Sequence, residues 1–463
     1  MLSKLDEAKT ELIARAVEVA AHGRSPEAMA NGALGTLLRR YYRHVAPEEV
    51  LGTDPVDVYG AAISHYGLAG QRAPGTASVR VYTPTVEEHG WSSGHTVVDV
   101  VTDDMPFLVD SVTAELNRQD LAIHVVVHPQ LVVHRDAAGN LVEVCDAGDC
   151  GSAGEGAIAE SWMHIEIDRD SDRARLDALE TDLERVLGDV RSVVSDWQAM
   201  RAAALNLADA LNVEAPPVEA EECAEAQELL RWLADDHFTF LGYREYDLTG
   251  TEPGAEALLA VEGTGLGILH GDRPVSVSFA QASKESRAKA REASLLVLTK
   301  ANSKATVHKP SYLDYVGIKR FDSAGNVVGE RRFLGLFSSA AYTERVTRIP
   351  VVRRKVSEVL AAAGFEPNSH DGRDLLEILE TYPRDELFQV STAELAPIAL
   401  SVLYLQERRR LRLFLRRDAY GRFLSALVYL PRDRFNTEIR QRMQDILLRE
   451  LGGASIDFTL RST

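Results

Sequence analysis

The stretch 95–129, HTVVDVVTDDMPFLVDSVTAELNRQDLAIHVVVHP, contains a strand–helix–strand pattern from which the fold class can be inferred. An apolar segment typical of a strand, residues 96–101, runs into an acidic turn. Val109, Val112 and Leu116 then recur at helical spacing. A second strand-like segment follows at residues 122–127. Strand, acidic turn, helix and strand are half of a split βαβ unit, which predicts an α+β sandwich.

The turn between that strand and the helix is the candidate binding site. Pro106 stands where a first helical turn can begin, because the N–H group that proline lacks has no helical partner there. Asp103 or Asp104 can cap the free N–H groups, and capping alone is the alternative role. Backbone donors and the positive end of a helix dipole beside two carboxylates could hold a zwitterion. The candidate effector-binding residues are Asp103, Asp104, Met105, Pro106, Phe107, Asp110 and Ser111.

Composition and charge exclude several classes of partner. A chain of 463 residues is too long for one ordinary core, so several domains are expected. The net charge of −19 argues against nucleic acid and anionic membranes as partners. No apolar run approaches membrane-spanning length, and the amphipathic N-terminus is unlike a signal peptide. Three cysteines favour a reducing compartment over a disulfide framework, which predicts a cytoplasmic protein.

Apolar periodicity predicts an α+β multidomain architecture with helical linkers. In the opening α+β segment, strands are expected at residues 162–167 and 190–194 and a helix at 176–187, which together with the elements above gives the order βαββαβ. A further return strand is expected at residues 141–145. Residues 162–167 alternate as in a sheet with one covered face. The segments are helical residues 1–75, the α+β unit 78–197, a helical linker 198–235, a strand-rich antiparallel domain 237–338, a second helical linker 340–408 and an incomplete βα unit 409–463 with a last strand at 454–460. Within these segments the pattern predicts strands at residues 312–321 and 327–337 and helices at residues 280–292 and 437–451.

No catalytic or metal-binding constellation is recognisable in the sequence. His124, His128 and His134 lack a cysteine or carboxylate cluster, so no metal site is predicted from them. A match to G-x-S-x-G at residues 90–94 has a strand after it where a nucleophile elbow needs a helix. The sequence therefore predicts no catalytic residues.

Four longer runs carry a resemblance to a known family. They are DDMPFLVDSVTAELNRQDLAIHVVVHPQ (103–130), HFTFLGYREYDL (237–248), RDLLEILETYPRDELFQVS (373–391) and RRDAYGRFLSALVYLPRDRFNTEIRQRMQDIL (416–447). The chain resembles the N-terminal part of the large bacterial NAD-dependent glutamate dehydrogenases over essentially its whole length. The resemblance implies ferredoxin-like, ACT-like domains at 78–197 and, truncated, at 409–463, with a PAS-like domain at 237–338. The full-length family enzyme oxidatively deaminates L-glutamate to 2-oxoglutarate and ammonium with NAD, as a homo-oligomer.

The family's catalytic signature is absent from this sequence. Glutamate dehydrogenases carry a Gly-Gly-x-Lys substrate loop, whereas the one Gly-Gly here, Gly452-Gly453, precedes Ala454 and Ser455. This segment is therefore expected to be inactive alone and to bind no NAD. Its expected partners are the enzyme's own catalytic region, other subunits and an amino-acid effector.

The resemblance also bears on the candidate turn. ACT domains often bind amino acids at this turn, usually with a glycine after the proline, but Phe107 stands there in this chain. Its ring would crowd a ligand and favours a packing role. A free-standing amino-acid sensor and a purely structural assembly scaffold are the alternatives to a regulatory and oligomerisation segment.

Overall fold

The chain forms two compact units in the computed structural model. The first comprises residues 1–196 and 304–311, and the second comprises residues 197–303 and 312–463. The structure describes residues 4–22, 31–145, 157–213, 216–250, 255–271, 275–281, 283–366, 369–405 and 410–460.

Helices open the first unit, as the amphipathic pattern of its first residues predicts. One of them begins at a clear sequence signal, because the Asp54 carboxylate accepts a hydrogen bond from the Val56 N–H at 2.8 Å and Pro55 takes the first helical position. Apolar side chains of these helices form one cluster with the strands that follow. The helices are α1 Lys4–His22, α2 Asn31–Tyr41, α3 Pro47–Val50 and α4 Pro55–Ala69.

A six-stranded sheet follows in the first unit. Its strands are β1 Ser78–Tyr82, β2 Thr96–Asp103, β3 Ile123–Val127, β4 Gln130–Arg135, β5 Leu141–Val144 and β6 Ala157–Ile167, and its helices are α5 Val86–His89, α6 Leu108–Arg118 and α7 Arg173–Val213. Residues 197–213 of α7 belong to the second unit. The strand order is β1-β2-β6-β4-β5, and β3 also pairs with β6. These pairs are antiparallel, and their register places Asp99 of β2 between Arg80 of β1 and His164 of β6.

The predicted βαββαβ order is wrong at its last element. Residues 190–194 lie within α7 instead of forming a closing strand. Val186, Val190 and Val193 are all buried, and their spacing of four and three positions places them on one helical face. At the edge of the sheet β2 pairs with β1, which precedes it in the chain.

The prediction of one covered face for residues 162–167 is also wrong. Trp162 packs with residues of α2 and α4 in one apolar cluster. Met163 and Ile165, which point to the opposite face, are fully buried as well. The alternation of residue types in this segment therefore reflects polar side chains that lie inside the molecule and not on a solvent-facing side of the sheet.

The second unit is built around another antiparallel sheet. Its strands are β7 Phe238–Thr249, β8 Ala257–Ala260, β9 Leu266–Gly267, β10 Leu296–Lys304, β11 Tyr312–Phe321 and β12 Val327–Phe337. The order is β10-β11-β12-β7-β8, and β9 also pairs with β7. β11 and β12 have the bounds that the sequence predicts. The turn between them is held by Asp322, whose carboxylate accepts from the N–H groups of Ala324 and Asn326.

Helices precede, interrupt and follow the strands of this sheet along the chain. The single helix expected at residues 280–292 is replaced by two shorter helices and a 3₁₀ turn at Lys289–Arg291. The Ser391 hydroxyl and the Glu394 carboxylate form a reciprocal capping box at the start of the helix Thr392–Leu403. The helices are α8 Ala220–Trp232, α9 Val277–Ala280, α10 Lys284–Ala288, α11 Ser339–Thr343, α12 Val352–Ala363, α13 His370–Thr381, α14 Arg384–Gln389 and α15 Thr392–Leu403.

The last described residues form a small βα unit. It consists of the hairpin β13 Arg412–Arg417 and β14 Leu424–Tyr429, followed by α16 Thr437–Leu451. The Asn436 side chain caps α16 by accepting from the Ile439 N–H at 2.8 Å. The strand predicted at residues 454–460 is not formed, since these residues adopt neither strand nor helix.

Two further observations concern the expected environment of the chain. Among the described residues, none of the helices has the length and apolar character needed to cross a membrane. Cys223 is a buried free thiol, whereas Cys145 is disulfide-bonded, so the inference from the low cysteine count does not hold at Cys145. Cys150 lies outside the described residues.

Candidate functional site

The first carboxylate of the candidate turn forms ion pairs with two arginines. Asp103 ends β2, and its two oxygens lie 2.6 Å from Arg72 and 2.5 Å from Arg191 of α7. Burial alone would raise the pKa of Asp103, but the hydrogen bonds from the two guanidinium groups outweigh it and hold that pKa below its ordinary value. Asp103 is therefore an ionised structural partner and does not cap α6.

The start of α6 also differs from the prediction. Helix α6 begins at Leu108, two residues after Pro106, and Phe107 at its N-cap makes no side-chain capping bond. Phe107 has φ 73° and ψ 0°, a left-handed conformation that costs roughly 1–2 kcal/mol for a residue with a Cβ atom. Asp104 is exposed, and its carboxylate accepts from the Gln130 side chain at 3.1 Å. The predicted cap at Asp103 or Asp104 is therefore wrong.

Residues 304–311 lie against the remaining part of the candidate turn. The Ser111 hydroxyl donates to the Phe107 carbonyl at 2.6 Å and accepts from the His308 N–H at 3.0 Å. The His308 ring lies 5.0 Å from the Phe107 ring, and its Nδ1 lies 3.3 Å from an Asp110 carboxylate oxygen. Val307 is fully buried. The chain's own segment thus contacts three of the seven predicted residues.

The structure brings the predicted residues together but gives most of them partners from the protein. Met105 is half-buried and Pro106 is exposed. The two carboxylates and the hydroxyl that could bind a zwitterion hold arginines, a glutamine side chain and the backbone of His308. These partners come from far along the chain, His308 being 197 positions after Ser111, so no local pattern reveals them.

A buried ion network beside the turn was missed by the sequence analysis. Glu160 of β6 is fully buried, and its carboxylate accepts from Arg72 at 2.7 Å and from both Arg135 and the Trp162 indole. Burial raises the pKa of Glu160, but the hydrogen bonds from these donors lower it by more than burial raises it. The group therefore stays ionised. Arg72 joins Glu160 to Asp103, so the network fixes the end of β2 against β6.

A second cluster missed by the sequence analysis lies in the middle of the same sheet. Asp99 is fully buried, with Arg80 2.9 Å from one oxygen and His164 2.7 Å from the other. Burial lowers the pKa of His65 to about 4, which keeps this imidazole neutral at pH 7. Burial also disfavours the charged form of His164, but Asp99 and Glu166 raise its pKa to about 9. A row of single polar residues inside apolar strands is the signal that could have found this cluster.

Comparison with known families defines the class of the protein. The model of the glutamate dehydrogenase ACT1 domain matches residues 37–183, that of helical motif 1 matches residues 349–408, and that of the ACT2 domain matches residues 412–463. The first match begins within α2 and therefore includes helices that precede the sheet. These matches define a multidomain α+β protein with two ACT domains.

The relatives name the enzyme family. The chain is 40% identical over 426 residues to the NAD-specific glutamate dehydrogenase of Halomonas elongata, covering 91% of this chain and 26% of that protein. It is 39% identical to the enzyme of Pseudomonas aeruginosa, covering 90% and 26%, and 34% identical to that of Mycobacterium tuberculosis, covering 86% and 23%. The chain belongs to the NAD-specific glutamate dehydrogenase family as an N-terminal part, and it spans about a quarter of the length of these relatives.

Proposed function

We propose that this chain is the regulatory and oligomerisation segment of an NAD-dependent glutamate dehydrogenase. In that enzyme L-glutamate, NAD⁺ and water give 2-oxoglutarate, ammonium, NADH and a proton. The observation that carries the proposal is the succession of an ACT1 domain, a helical motif and an ACT2 domain along one chain. The proposed partners are the enzyme's own catalytic region and further subunits of a homo-oligomer.

Catalysis and NAD binding are assigned to a region outside these modules. The one Gly-Gly of this sequence lacks the lysine of a Gly-Gly-x-Lys substrate loop. The antiparallel sheet β10-β11-β12-β7-β8 supports a PAS-like domain between the two ACT domains, in keeping with a sensing or docking role.

A purely structural scaffold is the second candidate, and one observation favours it over an amino-acid sensor. The turn that ACT domains often use for amino acids is contacted by residues 304–311, with the His308 N–H on Ser111 and the His308 ring beside Phe107. Asp103 is held by Arg72 and Arg191. An entering amino acid would have to displace partners that are already well paired.

Two measurements on the purified 463-residue chain test these proposals. With L-glutamate and NAD⁺ we expect no NADH, measured by absorbance, and self-association measured by light scattering. NADH production by the chain alone would refute the assignment of catalysis to another region, and a strictly monomeric chain would refute the oligomerisation role.

A thermal-shift panel of the twenty amino acids separates regulation from scaffolding. A flat panel favours the scaffold. A stabilising amino acid whose effect is lost in Asp104→Ala, but kept in the exposed control Asp136→Ala, would establish the sensor.

A further inference from the structure

Four side chains from separate elements converge inside the first unit. They are Tyr41 of α2, His65 of α4, Asp99 of β2 and His164 of β6, and each is at most 2% exposed. The His65 Nδ1, His164 Nδ1 and an Asp99 carboxylate oxygen all lie within 4.8 Å of one another. Because these residues are far apart in the sequence, no short sequence motif predicts that they form a cluster.

The separations of the donor atoms suit a small ion. The His164 Nδ1 lies 2.7 Å from Asp99 Oδ1, the His65 Nδ1 lies 3.7 Å from the same oxygen, and the Tyr41 hydroxyl lies 2.8 Å from His65 Nδ1. A tetrahedral zinc site with bonds of about 2.0–2.1 Å separates its ligand atoms by about 3.3 Å. The observed separations lie on both sides of that value, so shifts of less than about 1 Å would seat the ion.

The far side of each ligand is held by the protein. The His65 Nε2 lies 3.1 Å from the Val100 carbonyl, which fixes the ring and leaves Nδ1 as the acceptor. The His164 Nε2 lies 3.7 Å from a Glu166 carboxylate oxygen, which is an ion-pair distance and longer than a hydrogen bond. Ligating histidines nearly always have their other ring nitrogen on a carbonyl or a carboxylate in this way, which orients the ring and raises its basicity.

The carboxylate has the same kind of support. The Asp99 Oδ2 accepts from Arg80 at 2.9 Å and from the Tyr82 hydroxyl at 3.1 Å. The Asp99 Oδ1 faces the two imidazoles. One oxygen is thus fixed by the protein, and the other faces the proposed ion.

We propose that His65, Asp99 and His164, with the Tyr41 hydroxyl as fourth ligand, form a structural site for one zinc ion. Two imidazole nitrogens and one carboxylate oxygen form a donor set that binds Zn²⁺ in preference to Mg²⁺ or Ca²⁺, since those two ions favour oxygen ligands. A four-coordinate site without an open position is structural and not catalytic. Binding releases two protons to solvent, one from His164 Nδ1 and one from the Tyr41 hydroxyl, because the ligand atoms must be deprotonated. The ion joins two N-terminal helices to two neighbouring strands.

Metal analysis of the full chain tests the site. The protein is purified without a histidine tag and without chelator, and we expect about one zinc ion per chain by mass spectrometry. Removing the metal with a strong chelator is expected to lower the melting temperature, and Zn²⁺, but not Mg²⁺, restores it. Less than about 0.1 zinc ion per chain, before and after incubation with Zn²⁺, would overturn the proposal. The cluster would then be held together by hydrogen bonds and ion pairs alone.

Matched variants locate the ion. His65→Asn is expected to lose at least ten-fold in zinc affinity, whereas His124→Asn, at a histidine whose side chain is 38% exposed, is expected to keep the stoichiometry. Full zinc content in His65→Asn would place the ion elsewhere and refute the site. If His65→Asn does not fold, Tyr41→Phe serves with Co²⁺ as the probe. The visible spectrum of the Co²⁺-loaded chain is expected to change in that variant, and an unchanged spectrum excludes the tyrosine ligand.

Discussion

Asp314 is a buried carboxylate whose environment favours the protonated form. Its oxygens lie 2.6 Å from the Lys300 ammonium and 3.1 Å from the Phe337 N–H. Asp385 shares the same lysine at 3.3 Å and adds a second negative charge. Burial raises the pKa of Asp314 to about 7, because the pairing with Lys300 does not compensate for the lost hydration.

This carboxylate should make stability depend on pH in a known direction. Its folded-state pKa of about 7 lies above the ordinary value of 3.8, so the protonated form stabilises the fold. That contribution is full below about pH 4 and is lost as the pH rises through 7. Asp314→Asn stays neutral, so its free energy of unfolding should exceed that of the wild type at pH 8 more than at pH 5. Denaturant unfolding at both pH values measures this, and equal differences would contradict it.

Elements with a local signal were predicted well, and those decided by distant partners were not. The strands β11 and β12 and the helix α16 have the bounds that the sequence predicts, because turn residues or a cap flank an apolar pattern. The sequence located the turn before α6 correctly but did not predict which residues its side chains bond to. Its partners Arg72, Arg191 and His308 come from three other parts of the chain.

The helical state of residues 190–194 can be tested with two neighbouring valines. In α7, Val193 is 1% exposed, whereas Val194 is half-buried. Val193→Asp should cost more than about 3 kcal/mol, because it buries an unpaired charge. Val194→Asp serves as the matched control and should cost roughly 1 kcal/mol or less, since its carboxylate can reach water. Thermal unfolding of both variants measures the difference. A larger loss for Val194→Asp would contradict the helix and favour the strand that the sequence suggested.

The first unit of the molecule is not one continuous piece of chain. Residues 304–311 belong to it although the residues on both sides of them belong to the second unit. Within the first unit this segment buries Val307 fully, places Thr306 2.7 Å from Asp189 and covers Ser111. The candidate turn is therefore covered in part by a segment from much later in the same chain.

Replacing residues 305–310 by a Gly-Ser sequence of equal length tests what this segment does in the whole chain. The variant should lose roughly 2–4 kcal/mol of stability, because Val307 and Ala305 leave the interior and the His308 ring loses its contacts with Phe107 and Asp110. The single change Lys309→Ser, at an exposed side chain of the same segment, should cost little and is the control. We expect the amino-acid panel to stay flat in the variant, since Asp103 keeps Arg72 and Arg191. An amino acid that stabilises the variant but not the wild type would instead show that the segment masks an effector site, and it would favour the proposed regulatory role over a purely structural scaffold.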